Sequence, residues 1–177
     1  MSLTIVATPK AANANSYLTL EEAEAYFTAR VHIANWTAAS TDEKNAVLVW
    51  ATRLLDLGME WAGTKRTQTQ SLRWPRSGTM DRDGYAYDYD TVPQLVKDAT
   101  CELALSLLAR DRIAEPELLG QGFSDAKIGP LEVSVANPAN LIGMIPDSVI
   151  GLLANVGLPA NQAGSGSSGQ VVRTIRA

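Results

Sequence analysis

Only one cysteine and one histidine occur in these 177 residues, and their scarcity removes much of the chemistry a chain of this size could perform. Cys101 has no partner for an internal disulfide, which predicts folding in a reducing compartment; on its helical pattern it reads as a small core hydrophobe. With His32 as the lone imidazole, no Cys-His cluster offers a zinc site and no Ser-His-Asp arrangement has a second candidate base. Hydrolase and zinc readings fall away, no metal or other cofactor is expected, and the chain does not read as an enzyme. Long apolar runs are missing too: none approaches the roughly 20 residues that span a bilayer. Met1 to Lys10 lacks the cationic start and apolar stretch of a secretory signal. A soluble protein with no membrane partner is the expectation.

Aromatic residues make up 6% of the chain and charged residues 19%, while 46% is hydrophobic, an ordinary globular balance. The net charge of -4 argues against nucleic-acid binding over the whole surface. The length suits one sizeable core, so one domain with appendages is expected.

Helical signals dominate. Thr19-Leu20-Glu21-Glu22 is a capping box, in which the threonine oxygen takes a free amide and Glu22 reaches back, predicting a helix from Leu20 to about Ala29. Glu21, Glu22 and Glu24 then read as solvated charge at a helix start. A second box, Ser40-Thr41-Asp42-Glu43, opens the longest helix, to about Leu57. Its apolar positions Val47, Leu48, Trp50, Ala51, Leu54, Leu55 and Leu57 make it central. Gly58 is a plausible break before Met59 to Ala62, where Trp61 continues the apolar face; Trp36, Trp50 and Trp61 fit core or subunit packing. Thr91-Val92-Pro93 begins a third helix to about Arg112, with Leu95, Val96, Ala99, Leu103, Leu107 and Leu108 facing the second. Leu3 to Ala7 reads as a short strand. Lys127 to Val135 alternates around Gly129-Pro130 as an edge strand. A short helix from Pro146 to Val156 is expected to stop at Gly157. The fold class is therefore mainly α: a small helical bundle over 1-157, with a polar insertion loop at 64-90 and a short β-strand or hairpin. Residues 158-177 form a flexible linker and a C-terminal β-arm.

The insertion is the most distinctive stretch. From Thr64 to Arg82 it holds five cations, Lys65, Arg66, Arg73, Arg76 and Arg82, against the single anion Asp81. Trp74 adds a large flat surface, Pro75 fixes the backbone, and Ser77-Gly78 and Asp83-Gly84 are turn signals. Arg66, Arg73, Trp74 and Arg76 are the candidate partner-binding residues, because arginine and tryptophan dominate protein interfaces. Asp81-Arg82-Asp83-Gly84 resembles the opening of a calcium loop, but Val92 stands where its glutamate would be, so a plain turn is expected.

The Gly-rich run Gly164 to Gly169 is not followed by the lysine of a phosphate-binding loop and reads as a linker. Beyond it Val171, Val172, Arg173, Ile175 and Arg176 form a strand. An eleven-residue flexible linker reaches roughly 18 Å on average and about 35 Å extended. The strand would pair with its own body or, the favoured role, with a neighbouring subunit.

The order of segments resembles a known family. It runs Asn15-Ser-Tyr-Leu-Thr-Leu-Glu-Glu-Ala, Trp50-Ala-Thr-Arg-Leu-Leu-Asp, and Trp61 with Gly63-Thr-Lys-Arg-Thr. Then come Leu72-Arg-Trp-Pro-Arg-Ser-Gly with Asp81-Arg-Asp-Gly, Lys127-Ile-Gly-Pro-Leu-Glu-Val, and a basic terminal strand. From about Asn15 to Arg176 this is similar to tailed-phage proteins labelled DnaT-like single-stranded-DNA-binding, which look like head-to-tail connector (adaptor) proteins. The resemblance implies a mostly helical subunit of the virion, made in the host cytoplasm. It would sit at the head-tail junction in a ring of twelve copies beneath the portal, where DNA passes during packaging and ejection. Its implied partners are the portal protein, neighbouring adaptor subunits and a tail or next connector protein. The alternative is a single-stranded-DNA-binding protein, with Trp74 stacking on a base among the arginines.

Overall fold

Both predicted capping boxes form, and each starts a helix of the core. In the computed structural model, which describes residues 3-110, 125-128, 131-134 and 145-160, Thr19 Oγ1 accepts from the Glu22 amide at 3.2 Å, while Glu22 Oε2 accepts from the Thr19 amide at 2.8 Å. That box begins α1 (Leu20–Thr28). The Ser40 and Glu43 box begins α3 (Thr41–Gly58), an 18-residue helix. Between them α2 (Ala34–Ala38) drives Trp36 into the core, its ring 4.2 Å from Phe27 and its indole N–H on Glu24 at 3.1 Å. Lys44 closes this corner with an ion pair to Glu24 at 2.8 Å, its ammonium over the Trp36 ring.

The third long helix, α4 (Gln94–Ala109), follows Pro93, which stands at the cap position, with its ring buried. It packs along α3 and against α5 (Asp147–Leu153). The buried face of α3 consists of Val47, Leu48, Ala51, Thr52, Leu54 and Leu55, and that of α4 of Val96, Ala99, Thr100, Cys101, Leu103 and Ala104. Both faces follow the three- and four-residue spacing of an amphipathic helix. The threonines of these two faces, Thr52 and Thr100, return their hydroxyls to the carbonyls of Leu48 and Val96 in the preceding turn, so neither carries an unmet donor into the core. The fold is mainly α, with five helices among the described residues.

Short antiparallel pairs supply the β structure. Strand β1 (Met59–Trp61) pairs with β6 (Gly157–Pro159), β2 (Thr64–Lys65) with β3 (Arg76–Ser77), and β4 (Asp125–Ile128) with β5 (Leu131–Ser134). The pairing of β1 with β6 corrects three expectations. Met59 to Trp61 is extended rather than a continuation of the helical face. Gly157 opens a strand instead of ending a helix. Leu158 and Pro159 register with Glu60 and Met59 and so belong to the body rather than to the linker. Where one edge strand was expected from Lys127 to Val135, the described residues hold two antiparallel strands, with Lys127 opposite Glu132 and Ile128 opposite Leu131.

Leu3 to Ala7 forms no strand. Asn15 satisfies this segment instead: its Oδ1 accepts from the Val6 amide at 2.7 Å, its Nδ2 donates to the Thr4 carbonyl at 2.9 Å, and its own amide donates to the Val6 carbonyl at 2.9 Å. One side chain replaces the partner strand. Trp50 and Leu57, expected on the core face of α3, are 37% and 67% exposed. They sit roughly 120° to 140° around the helix from the centre of the buried face.

Candidate functional site

The insertion between β1 and α4 folds into a braced knob. Gly63 makes the first turn possible: its φ is +68°, and a Cβ there would stand 2.1 Å from the Ser77 carbonyl oxygen, so only glycine fits. The chain then pairs Thr64 with Ser77 and Lys65 with Arg76. Gln70 stitches the loop between them. Its Oε1 accepts from the Thr67 amide at 2.8 Å, and its Nε2 donates to the carbonyls of Leu72 and Pro75 at 2.9 and 3.1 Å. Lys65 Nζ donates to the Gln70 carbonyl at 2.7 Å.

Trp74 and Arg76, proposed from the sequence as outward partner contacts, both point inward. Trp74 is 1% exposed and packs edge-to-face on Trp61, with ring centroids 5.7 Å apart. An indole of that size gains more from a dry pocket than from water, and β1 brings Trp61 to meet it. Arg76 is 7% exposed. Its guanidinium donates to four backbone carbonyls: Ala62 at 2.6 Å, Gly63 at 2.6 Å, Trp61 at 3.2 Å and Arg73 at 3.2 Å. A planar fork of five donors suits such a cage as no other side chain does. Burial holds its pKa below the usual arginine range.

A second brace ties the knob to the helices. Asp56, near the end of α3, accepts from the Tyr17 hydroxyl through Oδ1 and from the Arg73 backbone amide at 3.1 Å through Oδ2. Burial pushes the Asp56 carboxyl above the ordinary aspartate value, against these hydrogen bonds. It also pushes the Tyr17 phenol up, helped by the negative charge of Asp56 beside it. A third brace comes from the N-terminal loop, where Ser71 donates to the carbonyls of Ala11 and Ala14.

Two of the four candidate arginine and tryptophan contacts remain outside. Arg73 is exposed, and no ion pair holds it among the described residues. Arg66 is exposed, pairs with Asp90 at 3.2 Å and lies 4.4 Å over the Tyr89 ring. Lys10 joins the same carboxylate at 2.9 Å, and these cations keep the Asp90 pKa below the ordinary range. The basic insertion is thus partly neutralised by its acidic second half. Asp81 Oδ1 accepts from the amides of Asp83 and Tyr85 at 2.9 and 2.8 Å, so Asp81 to Gly84 is the expected turn.

The sequence reading overlooked the acidic and tyrosine-bearing half of the insertion. Met80, Tyr85 and Tyr89 are 57%, 74% and 49% exposed and form the knob's outward apolar surface. Their signal was the alternation of Tyr85, Tyr87 and Tyr89 in an otherwise polar loop. The C-terminal arm residues Val171, Val172, Arg173, Ile175 and Arg176 lie outside the described residues. Cys101 is buried in α4, and burial raises its thiol pKa well above the ordinary value. No helix among the described residues is long and apolar enough to cross a membrane.

Residues 1–176 match a protein family described as "Putative DnaT-like ssDNA binding protein". No curated protein and no solved structure matches the chain.

Proposed function

This chain belongs to the DnaT-like ssDNA-binding protein family, and we propose that within it the chain works as a structural adaptor subunit at a phage head-tail junction. It would assemble in a ring beneath the portal, not as an enzyme. The observation that carries this reading is the direction of Trp74 and Arg76. The ring and the cation best suited to grip a nucleic acid are consumed inside the subunit. What faces outward is a rigid, glycine-turned knob bearing Met80, Tyr85 and Tyr89 beside Arg66 and Arg73. Exposed tyrosines and arginines on a rigid support are typical anchors of protein interfaces. In a ring each subunit presents two different complementary faces, and the knob supplies one of them toward the portal or the next adaptor. The terminal strand 171-176 would clip onto a neighbour's sheet edge, and repetition around the ring turns weak contacts into a durable one.

Single-stranded DNA binding is the second reading, and the family description favours it. The Arg66 guanidinium stacked over Tyr89 offers a cation and an aromatic face side by side, the combination used to hold a base and its phosphate. Light scattering of the chain mixed with a portal ring from the same phage, with an oligonucleotide control, separates the two. A discrete complex of fixed stoichiometry without oligonucleotide binding supports the adaptor. Salt-dependent oligonucleotide binding that Arg66→Ala and Tyr89→Ala abolish, with no portal complex, overturns it in favour of DNA.

A further inference from the structure

Along the outer side of α3 run Glu43, Ala46, Trp50, Arg53 and Leu57, alternately three and four residues apart, and all five are exposed. This is the spacing at which one helix presents a seam to another. Arg53 lies over the Trp50 ring, 5.4 Å from its centroid. Beside Ala46 the surface sinks into an open groove of about 400 Å³, lined by Glu43, Ala46, Val47, Trp50, Leu107 and Leu108.

The seam is complementary to itself. Glu43 and Arg53 each lie five residues from Leu48, and Ala46 and Trp50 each lie two residues from it. We propose that a second copy of this chain docks on α3, with the two helices antiparallel about Leu48. Glu43 then faces the partner's Arg53, and Trp50 faces the partner's Ala46, where the groove has room for its ring; each contact is made twice. Leu57 falls opposite Ala39, just beyond the start of the partner helix. Parallel pairing is disfavoured, because it sets Glu43 against Glu43 and Arg53 against Arg53. Two-fold pairing closes on itself and stops at two copies. This association belongs to the free protein and does not rest on the adaptor reading.

Sedimentation equilibrium of the whole protein from low to several hundred micromolar tests it. A monomer-dimer equilibrium is expected. Arg53→Glu inverts two symmetry-related pairs at once and should weaken dimerisation by at least about tenfold. Glu43→Lys should act likewise, with helix content checked because this residue also caps α3, and the double charge swap should restore association. Ala46→Arg leaves the cap intact and fills the groove, so it should leave the chain monomeric. A monomer at every concentration overturns the proposal, as does a dimer indifferent to Arg53→Glu and Ala46→Arg. Failure of the folded double swap to recover association overturns it equally.

Discussion

Replacing Trp74 by alanine separates a residue that braces the fold from one that grips a partner. The ring is 1% exposed and sits edge-to-face on Trp61. Truncating a fully buried large aromatic costs about 3 to 5 kcal/mol, of which roughly 1 kcal/mol belongs to the ring pair. Against the 5 to 15 kcal/mol that typically holds a domain together, such a loss is at least about a fifth of the total. With a urea dependence of about 2 kcal/mol per molar, the unfolding midpoint should fall by roughly 2 M. Urea titration followed by far-ultraviolet circular dichroism reads this directly. Partner docking should then be measured at low temperature, where the variant is still folded, and should be close to normal. A midpoint shift below about 0.3 M together with lost docking would show that the ring meets the partner and would refute the packing argument.

The remaining expectations concern the other braces. Arg76→Lys keeps the charge, but one ammonium cannot serve four carbonyls, so a loss of about 2 to 4 kcal/mol is expected in the same titration. A loss under about 1 kcal/mol would mean the carbonyl cage does not hold the knob. Asp56 makes a pH prediction. Burial raises its folded pKa, so the folded state binds its proton more tightly than the unfolded chain does. Its contribution is then fully present below the unfolded value of about 4 and is lost as pH rises through the raised folded value. The stability of the natural protein relative to Asp56→Asn should therefore grow as pH falls toward 4. Glu22, Glu24, Glu102 and Asp90, whose pKa values are lowered, act in the opposite sense but are common to both proteins. An advantage that is flat, or that grows toward neutral pH, would contradict the buried-carboxyl account.

Helices were legible from local chemistry. Thr19 with Glu22 and Ser40 with Glu43 announce their helix starts because a capping box is a contact among residues three apart. The periodicity of Val96, Ala99 and Leu103 assigned a core face to α4 for the same reason. Trp74 and Arg76 were misread because their partners lie elsewhere in the chain. A tryptophan and an arginine in a polar loop look like surface anchors until β1 brings Trp61 and the carbonyls of residues 61 to 63 beneath them. Of the two packing roles read for Trp50, core or subunit, its exposure excludes the core, since periodicity marks an apolar stripe but not its edge.

The amino-acid order alone therefore determined a mainly helical fold, the starts of its long helices, the polar insertion between them and the absence of histidine and cysteine clusters, all of which depend on composition or on neighbours within a few residues. Tertiary structure decided which of the insertion's residues face outward, how its charge is balanced by Asp90, and which side of α3 the other described elements leave exposed. Those outcomes depend on contacts between residues tens of positions apart, such as Tyr17 with Asp56, Lys10 with Asp90 and Met59 with Pro159, which no local pattern encodes.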